Sequence, residues 1–220
     1  MTTSEMIQNF RMAYDIVNLE GPGYDDEEVL VFLNTSQDIE VKKEAAIRRW
    51  TYISNLISNI TLSTSVPAWS LYQYHRIVSV PSETYLAYIG SKSKIERTIF
   101  KPLNGAEWVD NILIPKENSG RYISNTNNWP ILLNPRVYEE ATGNVSVIYD
   151  KNTTFSGSND FILEYIRKPS QITLISPCEV NEVMHERIVN TAVDLAKKVF
   201  TVQEAAASKQ TDTLIKNPEM

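Results

Sequence analysis

The chain has 220 residues, 42% hydrophobic and 22% charged, which is ordinary globular usage; it excludes wholesale disorder and allows a sizeable buried core. Its 21 basic against 27 acidic side chains give a formal charge of -6, the opposite of the clustered positive excess with which a protein grips a phosphate backbone. A single cysteine, Cys178, excludes an internal disulfide and any cysteine-rich metal site.

The opening MTTSEMIQNF has neither a basic n-region nor an apolar h-region, so no secretory signal is expected. No apolar run approaches the roughly 20 residues that span a bilayer. The expectation is a chain made in the cytoplasm, without a membrane partner, in which the Asn-x-Ser/Thr triplets at Asn59, Asn144 and Asn152 are coincidences.

A first helix is predicted from Ser4 to about Asn18. Ile7, Phe10, Tyr14 and Val17 recur at spacings of three and four on one face, and Thr2 with Glu5 suits a capping box. Gly21, Pro22 and Gly23 end it, and Asp25 to Glu28 open the next. Four acids there face the positive end of the helix dipole, a better account than a metal cluster. The second helix is predicted to be long. Val29, Phe32, Leu33, Ile39, Ala46, Trp50, Ile53, Ile57 and Ile60 keep a roughly helical stripe. Asp38 with Lys42 and Glu44 with Arg48 read as i,i+4 pairs on the wet side. About 35 residues would make a rod roughly 50 Å long, with a break near Thr35 and Ser36 as an alternative.

From Leu62 to about Pro169 the texture changes to short β-branched and aromatic runs punctuated by prolines. Strands are expected at YQYHRIVSV, ETYLAYIG, RTIFKP, NILIPK, RYISN, WPILLNPRVYE, NVSVIYD and DFILEYIR. EEATGN and DKNTTFSGSND read as hairpin connections. Pro169 ends the last strand, because it has no N–H to give a ladder. After a loop containing Cys178, a strong helix begins with Asn181 as N-cap and carries Ile188, Ala192, Leu195 or Ala196, and Val199 on its inner stripe. The polar end, SKQTDTLIKNPEM, is expected to order only on a partner.

The fold class is therefore α+β: a helical body of two N-terminal helices and a C-terminal helix, with an inserted antiparallel β domain. The expected division is 1–61 for the N-terminal helices and 62–170 for the β insertion. It continues with 171–205 for the crossover loop and C-terminal helix, and 206–220 for the tail.

A search for chemistry returns little. Neither His75 nor His185 has a second histidine at helical spacing, so no zinc helix motif exists. Asp150, Asn152 and Thr154 occupy the first three ligand positions of a calcium loop, but Phe155 stands where glycine is needed and Phe161 where a bidentate glutamate is needed. Glu139 and Glu140 are adjacent on a strand and point to opposite faces, so they cannot flank one glycosidic bond. Cys178 lacks an activating pattern and reads as a small buried loop residue rather than a reactive thiol. Trp69, Trp108 and Trp129 suit either β-domain packing or a sugar or nucleic-acid platform. No catalytic, cofactor or metal residue is predicted.

Two segments carry a resemblance. YDDEEVLVFLNTSQDIEVKKEAA (residues 24–46), and the stretch from FILEYIRKP through PCEVNEVMHERIVNTAVDLAKK (residues 161–198), resemble the ring or adaptor proteins beneath the portal of short-tailed phages of the crAss-like group. More distantly they are similar to the tubular tail adaptors of other podoviruses. The resemblance implies a virion protein at the head-to-tail junction, in a self-assembled ring, usually a dodecamer. Its partners would be the portal protein, neighbouring ring or tail proteins, and phage DNA passing through the lumen without specific binding; it would have no cofactor and no enzymatic activity. In such a ring Trp50, Ile53 and Ile57 of the long helix and Ile188 and Val199 of the last helix are expected to pack between subunits, with intramolecular core as the alternative. Leu214 and Ile215 are expected to dock the tail on a partner. Two other classes stay open: a carbohydrate- or receptor-binding β module, and a hydrolase with unrecognised carboxylates.

Overall fold

The computed structural model describes residues 1–17, 23–65, 68–69, 73–81, 83–97, 105–124, 134–140, 144–150, 153–155 and 158–215. It divides into two units, Met1–Leu56 with Pro169–Met220, and Ile57–Lys168. The fold is α+β.

The first unit is helical. Helix α1 (Thr3–Val17) starts at the expected box: the Thr2 N–H donates to Glu5 Oε2 at 2.8 Å and the Glu5 N–H to Thr2 Oγ1 at 3.3 Å. Its stripe of Met6, Ile7, Phe10 and Tyr14 is buried, and the Phe10 ring stacks on those of Tyr14 and Phe32. Helix α2 (Asp26–Ala46) opens on a second capping box between Asp25 and Glu28.

It ends far earlier than its apolar stripe predicts. Arg48 adopts a left-handed conformation (φ 57°) and closes the helix after 21 residues, so the rod is about 32 Å long and not 50 Å. A 3-10 helix (Trp50–Leu56) follows, and Ile57 already belongs to a strand. The last helix, α4 (His185–Ile215), is entered through a 3-10 turn (Glu182–Met184) that Asn181 caps by accepting the Val183 N–H. It continues ten residues past the predicted boundary at 205.

Among the described residues, the second unit carries ten strands in two five-stranded sheets. These are β1 (Ile57–Leu62), β2 (Ala68–Trp69), β3 (Gln73–Val78), β4 (Tyr85–Arg97), β5 (Glu107–Asp110), β6 (Ile112–Leu113), β7 (Arg136–Glu139), β8 (Val145–Asp150), β9 (Thr153–Phe155) and β10 (Phe161–Arg167). One sheet runs β1-β10-β4-β5, with β9 also on β4; the other runs β2-β3-β8-β7-β6. Their facing sides share one core, in which Val78, Val137, Val145 and Val147 of the second sheet meet Tyr88, Ile95, Phe161 and Leu163 of the first.

Three expectations are corrected in this unit. RYISN was expected as a strand, but Lys116–Ser124 is helix α3, started behind Pro115. The insertion is not wholly antiparallel either, because β6 and β7 pair in parallel. Parallel neighbours need a long crossover, and the segment containing α3 supplies it. The stretch read as a hairpin connection at DKNTTFSGSND contains β9; residues 98–102 of RTIFKP, 129–133 of WPILLNPRVYE, and 151, 152, 156 and 157 lie outside the described residues.

Candidate functional site

Helix α2 buries an unexpected face. Val29 and Leu33 are followed, at helical spacing, by the buried Ser36, Gln37, Glu40 and Glu44. Glu44 was expected to pair with Arg48 on the wet side. It is instead buried and binds Arg187 of α4 at 2.7 Å, while Arg48 stands beyond the helix end. Arg187 reaches Glu40 with its second nitrogen at 2.6 Å, and Glu40 also accepts from Lys43 (2.6 Å) and Thr191 (3.0 Å). Burial opposes the charge of Glu40. The hydrogen bonds from Lys43 and Thr191 and the two nearby cations outweigh it and hold the carboxyl below its ordinary range. Two carboxylates facing two cations form a structural cluster, in which the buried Glu44 Oε2 is left without a hydrogen-bond partner among the described residues.

The same polar face anchors the loop that leads from the β unit to α4, residues 169–180. Asn34 locks Ile172 from both sides: its Oδ1 accepts the Ile172 N–H at 2.7 Å, and its Nδ2 donates to the Ile172 carbonyl at 3.0 Å. Gln37 donates to the Ser170 carbonyl at 2.9 Å and accepts from the Cys178 thiol at 3.0 Å. Glu179 receives the N–H and the hydroxyl of Ser170, and its own carbonyl accepts from Asn55. Cys178 is thus a buried clasp whose thiol burial pushes up to about 11, away from any reactive thiolate. His185 lies beneath the loop; its Nε2 is 3.0 Å from the Val180 carbonyl and its buried Nδ1 has no hydrogen-bond partner among the described residues. Burial lowers its pKa, because a proton on Nδ1 would be enclosed without an acceptor.

This stem presents an apolar tip. Thr173 and Ser176 close a tight turn by two hydrogen bonds, the Thr173 N–H to the Ser176 carbonyl and the Ser176 N–H to Thr173 Oγ1. Between them Leu174 is 64% exposed and Ile175 is 96% exposed. Beside the loop base, Val31, Thr35, Asp38, Ile39 and Lys42 of α2 and Gln171 line an open groove of about 490 Å³. In the same unit Val31 is also largely exposed.

The residues proposed from sequence for subunit contacts divide. Ile53 and Ile188 have no exposed surface and are core of the helical unit, so they have nothing to offer a partner. Trp50 is half-buried on the 3-10 helix, Ile57 is half-buried on β1 of the other unit, and Val199 is 43% exposed on α4. Leu214 and Ile215 fall on the last turn of α4, with side chains outside the described residues. Sequence reasoning passed over Leu174 and Ile175 because two apolar residues in a loop resemble any short strand. The polar stripe at 36, 37, 40 and 44 was legible as a 3.6-residue period of the wrong polarity.

Among the described residues, no group of three or more His, Cys, Asp and Glu side chains is placed to hold a metal ion, and no helix is long and apolar enough to cross a membrane. Compared with known proteins, the chain matches no family model and no curated protein.

Proposed function

We propose that this chain is a structural subunit of the virion of a short-tailed phage, one copy in a ring that joins the capsid portal to the tail and continues the DNA channel. The observation that carries the reading is the stiff, apolar-tipped loop of residues 169–180. A stem held by Asn34, Gln37 and Glu179 keeps Leu174 and Ile175 in water. An isolated globule gains nothing from such a projection, whereas an assembly gains a preformed apolar contact whose ordering cost is already met in the free subunit. Ring closure needs a heterologous pair of surfaces, one projecting and one recessed, and the loop tip and the α2 groove are of those two kinds. The net negative charge suits a channel through which DNA slides without sticking. The resemblance of residues 24–46 and 161–198 to portal-bound ring proteins bears on the same two elements, α2 and the loop into α4.

Particle imaging and native mass measurement test the reading, with the chain alone and mixed with the portal protein of the same virion. Rings with a central hole, or incorporation beneath the portal, are expected. The double substitution Leu174→Asp with Ile175→Asp is expected to leave the melting temperature unchanged, since exposed changes are worth within about 0.5 kcal/mol, and to abolish assembly. A wild-type chain that stays monomeric and ignores the portal overturns the proposal.

A further inference from the structure

The outward face of the β1-β10-β4-β5 sheet is unlike a plain solvated surface. Alternation places Asn59 and Thr61 of β1, Ile162 and Glu164 of β10, Lys92 of β4, and Asp110 of β5 on it, while Ile60, Leu163, Ile95 and Val109 turn into the core. Gly90 sits in the middle of this face opposite Glu164, where a side chain of its own would meet Glu164 Oε2 at 3.5 Å. It lines an open hollow of about 600 Å³. The rim is fixed, because Asn111 binds Ser91 and Ser93 of β4 and so sets Asp110 in place.

The polar groups in the hollow are mostly unspent. Asn59, Thr61 and Glu164 make no side-chain hydrogen bond among the described residues, and Asp110 meets Lys92 only at 3.5 Å with both side chains more than half exposed. On the same strand and the same face as Asp110, two residues away and so about 7 Å off, Trp108 is 41% exposed. An aromatic ring on the same sheet face, next along the strand from a hollow lined by carboxylate, amide and hydroxyl groups, offers both halves of sugar recognition. The ring takes the C–H face of a pyranose, and the polar groups take its hydroxyls.

We propose that this hollow binds a neutral oligosaccharide, stacked on Trp108 and hydrogen-bonded to Glu164, Asp110 and Asn59. Two carboxylates against one ammonium leave the hollow net negative, which disfavours uronic, sialylated or sulfated sugars and nucleic acid. The site stands on the β unit alone and is independent of ring formation.

The test is tryptophan fluorescence titration and calorimetry of the full chain with maltohexaose, cellohexaose, chitohexaose and mannohexaose, and with a heparin hexasaccharide as the anionic probe. Saturable binding of at least one neutral sugar is expected. Trp108→Ala and Glu164→Gln should each weaken it at least tenfold, and Gly90→Thr, which sets a branched side chain in the hollow against Glu164, should abolish it. The melting temperature of Trp108→Ala should match the wild type. No binding by any neutral hexasaccharide at millimolar concentration overturns the proposal, as does preference for the heparin fragment, or wild-type affinity in Trp108→Ala and Gly90→Thr.

Discussion

Asn34 and Ile172 are 138 positions apart in the chain, yet one carboxamide satisfies both the N–H and the carbonyl of the other's backbone. A side chain that replaces a missing strand partner in this way fixes a loop as firmly as a short ladder would. Asn34→Ala should therefore strand two backbone groups next to the buried Ile172 side chain. The expected loss is about 2 kcal/mol in denaturant unfolding, the order for leaving buried polar groups unsatisfied. Amide exchange at Ile172 should accelerate by more than that at Met184, and equal acceleration at the two sites would contradict the lock.

Among the described residues, Arg187 is the guanidinium that reaches both Glu40 and Glu44. Arg187→Met should cost about 3 kcal/mol, near the lower end for breaking a buried pair, because Arg187 is itself 41% exposed and Lys43 still reaches Glu40. The triple change Glu40→Met, Glu44→Leu and Arg187→Met removes the desolvated charges together. It should restore wild-type stability to within about 1 kcal/mol. Urea midpoints of the two variants decide the matter: a triple variant no better than the single one would mean that packing, not uncompensated charge, carries the cost.

His185 and Glu40, both buried in the helical unit, act in the same direction with pH. His185 has its pKa lowered in the folded chain, so the unfolded chain binds the extra proton first, and stability falls as pH drops below the unfolded histidine value of about 6.5. Glu40 is also lowered, so its contribution is present above the unfolded carboxyl value of about 4.3 and fades as pH falls through the folded one. Unfolding free energy should thus be flat near pH 7 to 8 and decline in two steps on acidification. His185→Gln, which keeps an N–H for the Val180 carbonyl but cannot titrate, should remove the first step and leave the second.

Much of the fold was legible in the sequence, and the misses share a physical cause. The box at Thr2 and Glu5, the acids opening α2 and the stop at Pro169 are local chemistry, and local chemistry reads directly. The overlong helix came from trusting spacing alone: Trp50, Ile53, Ile57 and Ile60 fit a 3.6-residue period, but Asn55, Ser58, Asn59 and Thr61 are poor helix formers. The fully buried Ile53 ends up in the 3-10 helix, and the half-buried Ile60 packs against the β core. In α3, Tyr122 and Ile123 favoured a strand, while Pro115 and the following Lys-Glu pair, which start the helix, were the better signal.

The loop tip and the outward sheet face could not be read the same way. Ile175 looks like any loop residue, and Trp108 reads equally as β-domain packing or as a platform. What distinguishes them is exposure on a braced support, which depends on Asn34 and Asn111, residues distant from the tip or from the hollow's far strands in sequence. Polarity at 36, 37, 40 and 44 was visible, yet its partner, Arg187, lies 143 positions beyond Glu44.

The strand that opens the β unit and the strand that closes it are neighbours, with Ile57 of β1 opposite Ile166 of β10. Chain therefore enters and leaves the unit at points about 5 Å apart. A gene segment coding for residues 57–168 can be exchanged for another that folds between equally close ends, and the helices on either side keep their path. Such a junction asks of the helical unit only that it hold two chain ends one strand spacing apart.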